Sequence, residues 1–276
     1  MQSHFPRYSS ILHPISPPKP RLPRDAAAPP AWWGVPMVYL VALGLAEAVA
    51  AVSGVRLGMI SQAFVLFLLV VHGLATQDHA TRALLHSLVA VPLSSLLALA
   101  LPMSSLPAMP AALISTVVIL GAVLLAARPL RFSAANLRLR LDASDLPLAG
   151  LAVPLGLVLG AAEYTVLRPQ TAAMSVLPVL VIALIAALQQ EIAFRGFMLT
   201  AAERLFGAGP AIVYTAILFA VPHLSLVPNL AVPAAFLVGA VFAAMTVWAR
   251  SVTPAIVASA SLTVSLTLLT PALLAH

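Results

Sequence analysis

The stretch Ala172–Leu199, AAMSVLPVLVIALIAALQQEIAFRGFML, decides the fold class of this 276-residue chain. Up to Leu188 it carries no charged residue, and about 20 apolar residues are what a helix needs to cross the hydrocarbon layer of a membrane. Its final third carries ionisable side chains, which are costly in lipid and therefore indicate a functional position. The stretch predicts a membrane-spanning helix that carries a functional site near one end.

Eight further apolar runs of similar length flank this stretch. A helix satisfies its own backbone hydrogen bonds in lipid, whereas an isolated strand leaves them unpaired. We therefore predict an all-α fold, a polytopic integral membrane helix bundle with about eight or nine transmembrane helices. The predicted segments are Val35–Ser53, Leu57–Ala75, Ala83–Leu101, Ala111–Ala127, Leu146–Leu167, Ala172–Leu199, Ala211–Val227, Leu230–Ala249 and Pro254–Leu273.

The composition excludes a soluble globular enzyme. Hydrophobic residues make up 62% of the chain and charged residues only 8%, against roughly 25% charged residues in soluble domains. The net charge of +6 does not indicate nucleic acid, because the arginines lie in short gaps between apolar runs. The lipid bilayer is the predicted partner. The chain has no cysteine, which excludes disulfides, thiolate metal sites and a cysteine nucleophile.

The basic residues between the segments predict the topology. Alternating the nine segments across the membrane puts eleven lysines and arginines on one side and two on the other, as the positive-inside rule expects of the cytoplasmic side. We predict a multi-pass protein with its N-terminus in the cytoplasm, in the plasma membrane of a bacterium. The eleven are Arg7, Lys19, Arg21, Arg24, Arg82, Arg128, Arg131, Arg138, Arg140, Arg204 and Arg250, and the two are Arg56 and Arg168.

Three regions are predicted along the chain. Residues 1–31 hold eight prolines and form a disordered, Pro-rich cytoplasmic tail. Residues 32–170 form the N-terminal transmembrane helices, and residues 171–276 form the core that carries the functional site. Within the second region, Gly156 and Gly160 have the spacing that lets helices pack closely, and we interpret them as packing residues rather than a dimerisation signal.

Two motifs carry the candidate chemistry. In Gln190-Glu191-Ile192-Ala193-Phe194-Arg195-Gly196, Glu191 and Arg195 are four residues apart, which places them on one helical face in the order that favours an ion pair. His223 follows Phe219 by four residues in the next apolar segment. Because one short connection joins the two segments, we predict that the ion pair and the imidazole share an interior cavity.

Together these motifs resemble the CPBP family, which includes the type II CAAX prenyl endopeptidases and the Abi or bacteriocin-immunity proteins. The family pattern is Glu-Glu-x-x-x-Arg, then Phe-x-x-x-His, then His-x-x-x-Asn or an Asp-like residue in a last helix. The resemblance covers about Ser175–Leu273. It implies that the first Glu and the His of the second motif activate water inside the membrane, while the third motif stabilises the oxyanion. The corresponding residues here are Gln190, Glu191, Arg195, His223, Ser259 and Thr263.

The chain departs from this pattern at the positions that the family uses as general base and oxyanion donors. The first Glu is replaced by Gln190, whose amide cannot act as a general base, a role that contributes about 10²–10⁴ in rate. Ser259 replaces the His of the third motif and Thr263 the Asn; one oxyanion donor contributes about 10²–10³. We therefore predict a catalytically impaired intramembrane endopeptidase homologue with membrane-associated peptide or protein substrates. Whether this chain is an active enzyme stays open.

Two other functions remain open, and no cofactor is predicted. One is a non-catalytic membrane scaffold, such as an immunity-type pseudoprotease that binds peptides; the other is a secondary transporter using Glu47, Glu163 and Glu191 as ion sites. We interpret Glu47 and Glu163 instead as snorkelling or partner-paired carboxylates. The family label allows a divalent metal, but catalytic zinc wants three protein ligands, and only Glu191 and His223 are candidates.

Overall fold

The computed structural model describes residues 33–101, 106–128, 138–139, 145–167, 175–225 and 230–274. These residues form helices and short connections, with no strand among them. The predicted Pro-rich tail lies outside the described residues. The helices are α1 (Gly34–Ser53), α2 (Val55–Ala75), α3 (His79–Ala100), α4 (Ala108–Ala127), α5 (Leu146–Leu167), α6 (Val176–Phe206), α7 (Ala208–Leu224), α8 (Ala231–Ala249) and α9 (Thr253–Leu274).

The predicted all-α, polytopic membrane fold is confirmed. Within the described ranges, eight helices are long and apolar enough to cross a membrane, and α7 is a shorter apolar helix. The predicted segment Ala211–Val227 does not continue as one α-helix. It is α-helical over Ala208–Ala220 and then tightens into a 3₁₀ turn over Val221–Ser225, where Pro222 cannot donate an α-helical backbone hydrogen bond.

Helix α6 is longer than the sequence suggested. The prediction that it ends at Leu199 was wrong, because the helix continues to Phe206. A π-helical segment, Ile192–Met198, lies within it directly after Glu191, and the final turns are held by an ion pair of 2.7 Å between Glu203 and Arg138. Gly207, at φ 81°, then separates α6 from α7; this left-handed conformation favours glycine.

The turn at Gly207 sets the depth of the candidate residues. Gly207 lies sixteen residues after Glu191 and sixteen residues before His223. At a helical rise of about 1.5 Å per residue, both residues therefore lie roughly 24 Å from the turn. Because α6 and α7 adjoin on either side of this turn, the hairpin brings Glu191 and His223 to a similar depth in the membrane.

Helices α5 and α9 pack closely through the two glycines predicted to serve packing. A Cβ atom on Gly156 would lie 2.8 Å from Ser261 Cβ, and one on Gly160 would lie 2.7 Å from Ser265 Cβ. Neither position has room for a larger side chain, so the packing interpretation is confirmed. The contacts advance in the same direction along both helices, and α5 therefore runs parallel to α9.

A buried carboxylate joins the N-terminal helices. Glu47 of α1 is buried and accepts hydrogen bonds at one oxygen from Gln62 Nε2 (2.8 Å) and from the Ser95 hydroxyl. The interpretation of Glu47 as partner-paired is confirmed. Its polar partners all lie within the described part of α1–α3, so this carboxylate serves the scaffold that surrounds the core.

Candidate active site

A fully buried ion pair lies at the start of the π-helical segment. The side chains of Glu191 and Arg195 are 0% and 1% exposed, and Arg195 Nε lies 3.3 Å from Glu191 Oε2. Arg195 Nη1 donates to Glu191 Oε1 at 3.3 Å, and Nη2 donates to the carbonyl of Gly239 on α8 at 3.2 Å. Each charge compensates the other, and removal of either would leave an uncompensated charge in a dry interior.

Aromatic rings enclose the Arg195 guanidinium. Its central carbon lies 4.5 Å from the ring centroid of Phe219, 5.6 Å from that of Phe242 and 5.8 Å from that of Phe194. Cation–π attraction of this kind is strongest where water is excluded. Gly239 lets α7 and α8 approach here, since a Cβ at that position would lie 3.2 Å from Phe219 Cβ.

The imidazole of His223 lies on the far end of α7, in the 3₁₀ turn. Its ring centroid is 5.8 Å from that of Phe219, so the predicted proximity of the two side chains holds although the helix tightens between them. Its Nδ1 atom is buried and has no hydrogen-bond partner among the described residues. Nδ1 therefore contacts neighbouring protein atoms rather than open space.

His223 lines a cavity of about 140 Å³ between α5, α6, α7, α8 and α9. A water needs only about 10–15 Å³ by this kind of measure, so the cavity has room for several waters. Phe219 and Phe242 form part of its apolar wall. The polar side chains that line it are Glu163, Gln190, His223, Ser259 and Thr263.

Comparison with known proteins agrees with these motifs. Residues 172–264 match the family model described as type II CAAX prenyl endopeptidase Rce1-like. The resemblance to the CPBP family is confirmed. No curated protein and no solved structure matches the chain. The Rce1-like domain extends from the connection before α6 to Val264 of α9, and it supports a CPBP-type intramembrane protease within a multi-pass membrane protein.

The predicted site residues fall into two groups, those that line the cavity and those that pack behind its wall. Gln190, His223, Ser259 and Thr263 line the cavity, and Gln190 is the exposed member of this set. The prediction that the ion pair shares the cavity with the imidazole was wrong, because Glu191 and Arg195 do not line it. They pack behind its wall, where Arg195 contacts the Phe219 ring. The ion pair therefore supports the cavity wall rather than forming it.

The Thr263 hydroxyl of the third motif already has an acceptor. Thr263 Oγ1 donates to the backbone carbonyl of Ser259 at 3.1 Å. A hydroxyl has a single hydrogen to donate. In this arrangement Thr263 does not present that hydrogen to an oxyanion in the cavity.

Glu163 is the cavity residue that the motif comparison missed. It lies on α5, outside the family motifs, and was interpreted as snorkelling or paired. It has no hydrogen-bond or ion-pair partner among the described residues and instead lines the cavity. The spacing contained a signal, because Glu163 follows Gly160 by three residues and Gly156 by seven, which places all three on the face that packs against α9.

The residues present do not fit a catalytic divalent cation. Catalytic zinc takes three protein ligands, whereas the cavity offers one carboxylate, Glu163, and one imidazole, His223. Glu191, the other weak candidate, is bound to Arg195 behind the wall. The described part of the chain contains no cluster of three or more histidine, aspartate or glutamate side chains suited to a metal.

Proposed function

We propose that this chain is an intramembrane endopeptidase homologue that binds membrane-associated peptide or protein segments in the cavity between α5 and α9. One observation carries the proposal. Residues from all three family motifs, Gln190, His223 and Ser259, line a single cavity although they come from three helices. The cavity has space for water and is lined by the imidazole of His223, which are two of the components that hydrolysis of an amide requires.

The motif residues alone give an impaired enzyme. Gln190 has no basic atom with which to accept a proton from water. Ser259 and Thr263 replace the usual third-motif donors, and the Thr263 hydroxyl already donates to a backbone carbonyl. These replacements also favour a second function, a peptide-binding pseudoprotease of the immunity type, in which the cavity holds a segment without cleaving it.

Restoring the motif tests the proposed function. The full chain in lipid nanodiscs is incubated with internally quenched fluorescent casein as the probe, and cleavage is followed by fluorescence. We expect the Gln190→Glu, Ser259→His double variant to cleave faster than the unmodified chain, because it regains a base and an oxyanion donor.

His223→Ala is the control in both backgrounds and should abolish the cleavage. Cleavage by the unmodified chain that is insensitive to His223→Ala would show that the site lies elsewhere. A restored variant that binds casein but never cleaves it would favour the pseudoprotease.

We also propose a bacterial plasma-membrane location with the N-terminus in the cytoplasm, supported by the distribution of basic residues. The chain has no native cysteine, so a single introduced cysteine reports its own side of the membrane. We expect a membrane-impermeant maleimide to label Arg56→Cys in intact cells and to label Gln77→Cys only after permeabilisation. Both positions are exposed, on opposite ends of α2, and the reverse pattern would invert the topology.

A further inference from the structure

The cavity contains a carboxylate that the family motifs do not provide. Glu163 enters it from α5, and the position of α5 is fixed by the close approach of Gly156 and Gly160 to α9. The motif carboxylate is absent from the same cavity, since α6 presents Gln190 there. In this cavity, α6 carries an amide where the family pattern has a carboxylate. The cavity receives its carboxylate from α5 instead.

The other carboxylates in the membrane helices are already engaged. Glu47 accepts hydrogen bonds from Gln62 and Ser95, Glu191 is paired with Arg195, and Glu203 is paired with Arg138. Glu163 has no such partner among the described residues. It shares the cavity with the imidazole of His223 and with space for water. Water bound between two such groups satisfies both of them.

We propose that Glu163 is the general base of this site and supplies from α5 the carboxylate that Gln190 lacks. The inference rests on the proposed function, because it assigns a base to the same cavity. His223 holds the attacking water, and Gln190, whose side-chain amide carries two N–H donors, hydrogen-bonds the oxyanion in place of Ser259 and Thr263. Relative to the family pattern, the carboxylate is on α5 instead of α6, and the amide is on α6 instead of α9.

The reaction balances with these residues alone. Glu163 takes one proton from water as the water oxygen bonds to the carbonyl carbon, and the carbonyl electron pair moves to oxygen to form the oxyanion. When the oxyanion collapses, the carbon–nitrogen bond breaks and the leaving nitrogen takes the proton from Glu163. The products are a carboxylic acid and an amine, and the Glu163 carboxylate is regenerated.

The test compares isosteric variants of the full chain in nanodiscs with quenched fluorescent casein as the probe, and mass spectrometry of ¹⁸O uptake from labelled water confirms hydrolysis. We expect Glu163→Gln to lower kcat by about 10²–10⁴, the contribution of a general base, with KM nearly unchanged. Glu163→Asp keeps the carboxylate and should retain part of the activity. Glu203→Gln is the matched control, a carboxylate-to-amide change at the far end of α6, and should leave kcat unchanged.

Failure of this inference is distinguishable from failure of the proposed function. If Glu163→Gln keeps its activity while His223→Ala loses it, the cavity is the active site but Glu163 is not its base. If the unmodified chain is inactive and the Gln190→Glu, Ser259→His variant is active, the inference is also overturned, because a working base would have made the unmodified chain active. Inactivity of both would overturn the proposed peptidase function together with the inference.

Discussion

The guanidinium carbon of Arg195 lies 4.5 Å from the centroid of the Phe219 ring, and the same ring lies 5.8 Å from the imidazole of His223. Phe219 therefore connects the buried ion pair of α6 to the cavity at the end of α7. Phe194 adds an edge-on contact with Phe219 at 5.2 Å. The guanidinium and the imidazole thus contact the same ring, although Arg195 does not line the cavity.

Replacing this ring should weaken both the fold and the site. We expect Phe219→Leu to lower the free energy of unfolding by about 2 kcal/mol, the size of a cation–π contact from which water is excluded, and to lower turnover by loosening His223. Phe236→Leu is the control, because that ring is partly buried in the same region but is not stacked on Arg195. Thermal unfolding in detergent provides the measurement, and equal losses in both variants would contradict the role of the guanidinium.

The ion pair itself predicts a non-additive mutant cycle. Glu191→Ala and Arg195→Ala should each lower the free energy of unfolding by about 3–5 kcal/mol, since each leaves one buried charge without its partner. The double variant should be no less stable than the worse single variant, because it removes both charges. Denaturant unfolding in mixed micelles gives the three values. Fully additive losses would show that the two side chains act independently.

The positions of the helices were predictable, because the length of an apolar run decides them. The helix ends were less predictable, because contacts of single polar side chains decide them. Apolar runs located the helices well, because about 20 residues are needed to cross a bilayer. The end of α6 was misplaced at Leu199 because polar residues follow. In the structure Thr200 is buried and Glu203 is paired with Arg138, so the helix continues to Phe206. The pairing partner is distant in sequence and could not be foreseen from the α6 segment alone.

The candidate site was likewise predictable only in part, where the sequence signal lies within one helix. The motif positions Gln190, His223 and Ser259 were found from the sequence because their spacing is local to each helix. Glu163 was not assigned to the site, because its place depends on which helix α5 packs against. Gly156 and Gly160 define a packing face on α5, but the sequence does not show which helix packs against that face. The contact with α9 supplies that information and brings Glu163 to the cavity.

This packing leads to a prediction on α5 with an internal control. Gly156→Ala should destabilise the chain by about 1–3 kcal/mol, the usual cost of overpacking, because its Cβ would lie 2.8 Å from Ser261 Cβ. Gly150→Ala on the same helix meets nothing within 4 Å and should be neutral or stabilising by up to about 1 kcal/mol through helix propensity. Thermal unfolding of the two variants separates the effects, and similar shifts would exclude tight packing of α5 on α9.

The hydroxyl of Thr263 gives a prediction about the oxyanion. Because Oγ1 donates to the Ser259 carbonyl, Thr263→Val removes no donor from the cavity and should leave casein turnover unchanged. Thr263→Asn introduces an amide with two N–H donors at a position that lines the cavity, and should raise kcat toward the ~10²–10³ that one preorganised donor contributes. A large loss of kcat in Thr263→Val would mean that the hydroxyl breaks its hydrogen bond to the Ser259 carbonyl during the reaction and donates to the oxyanion instead.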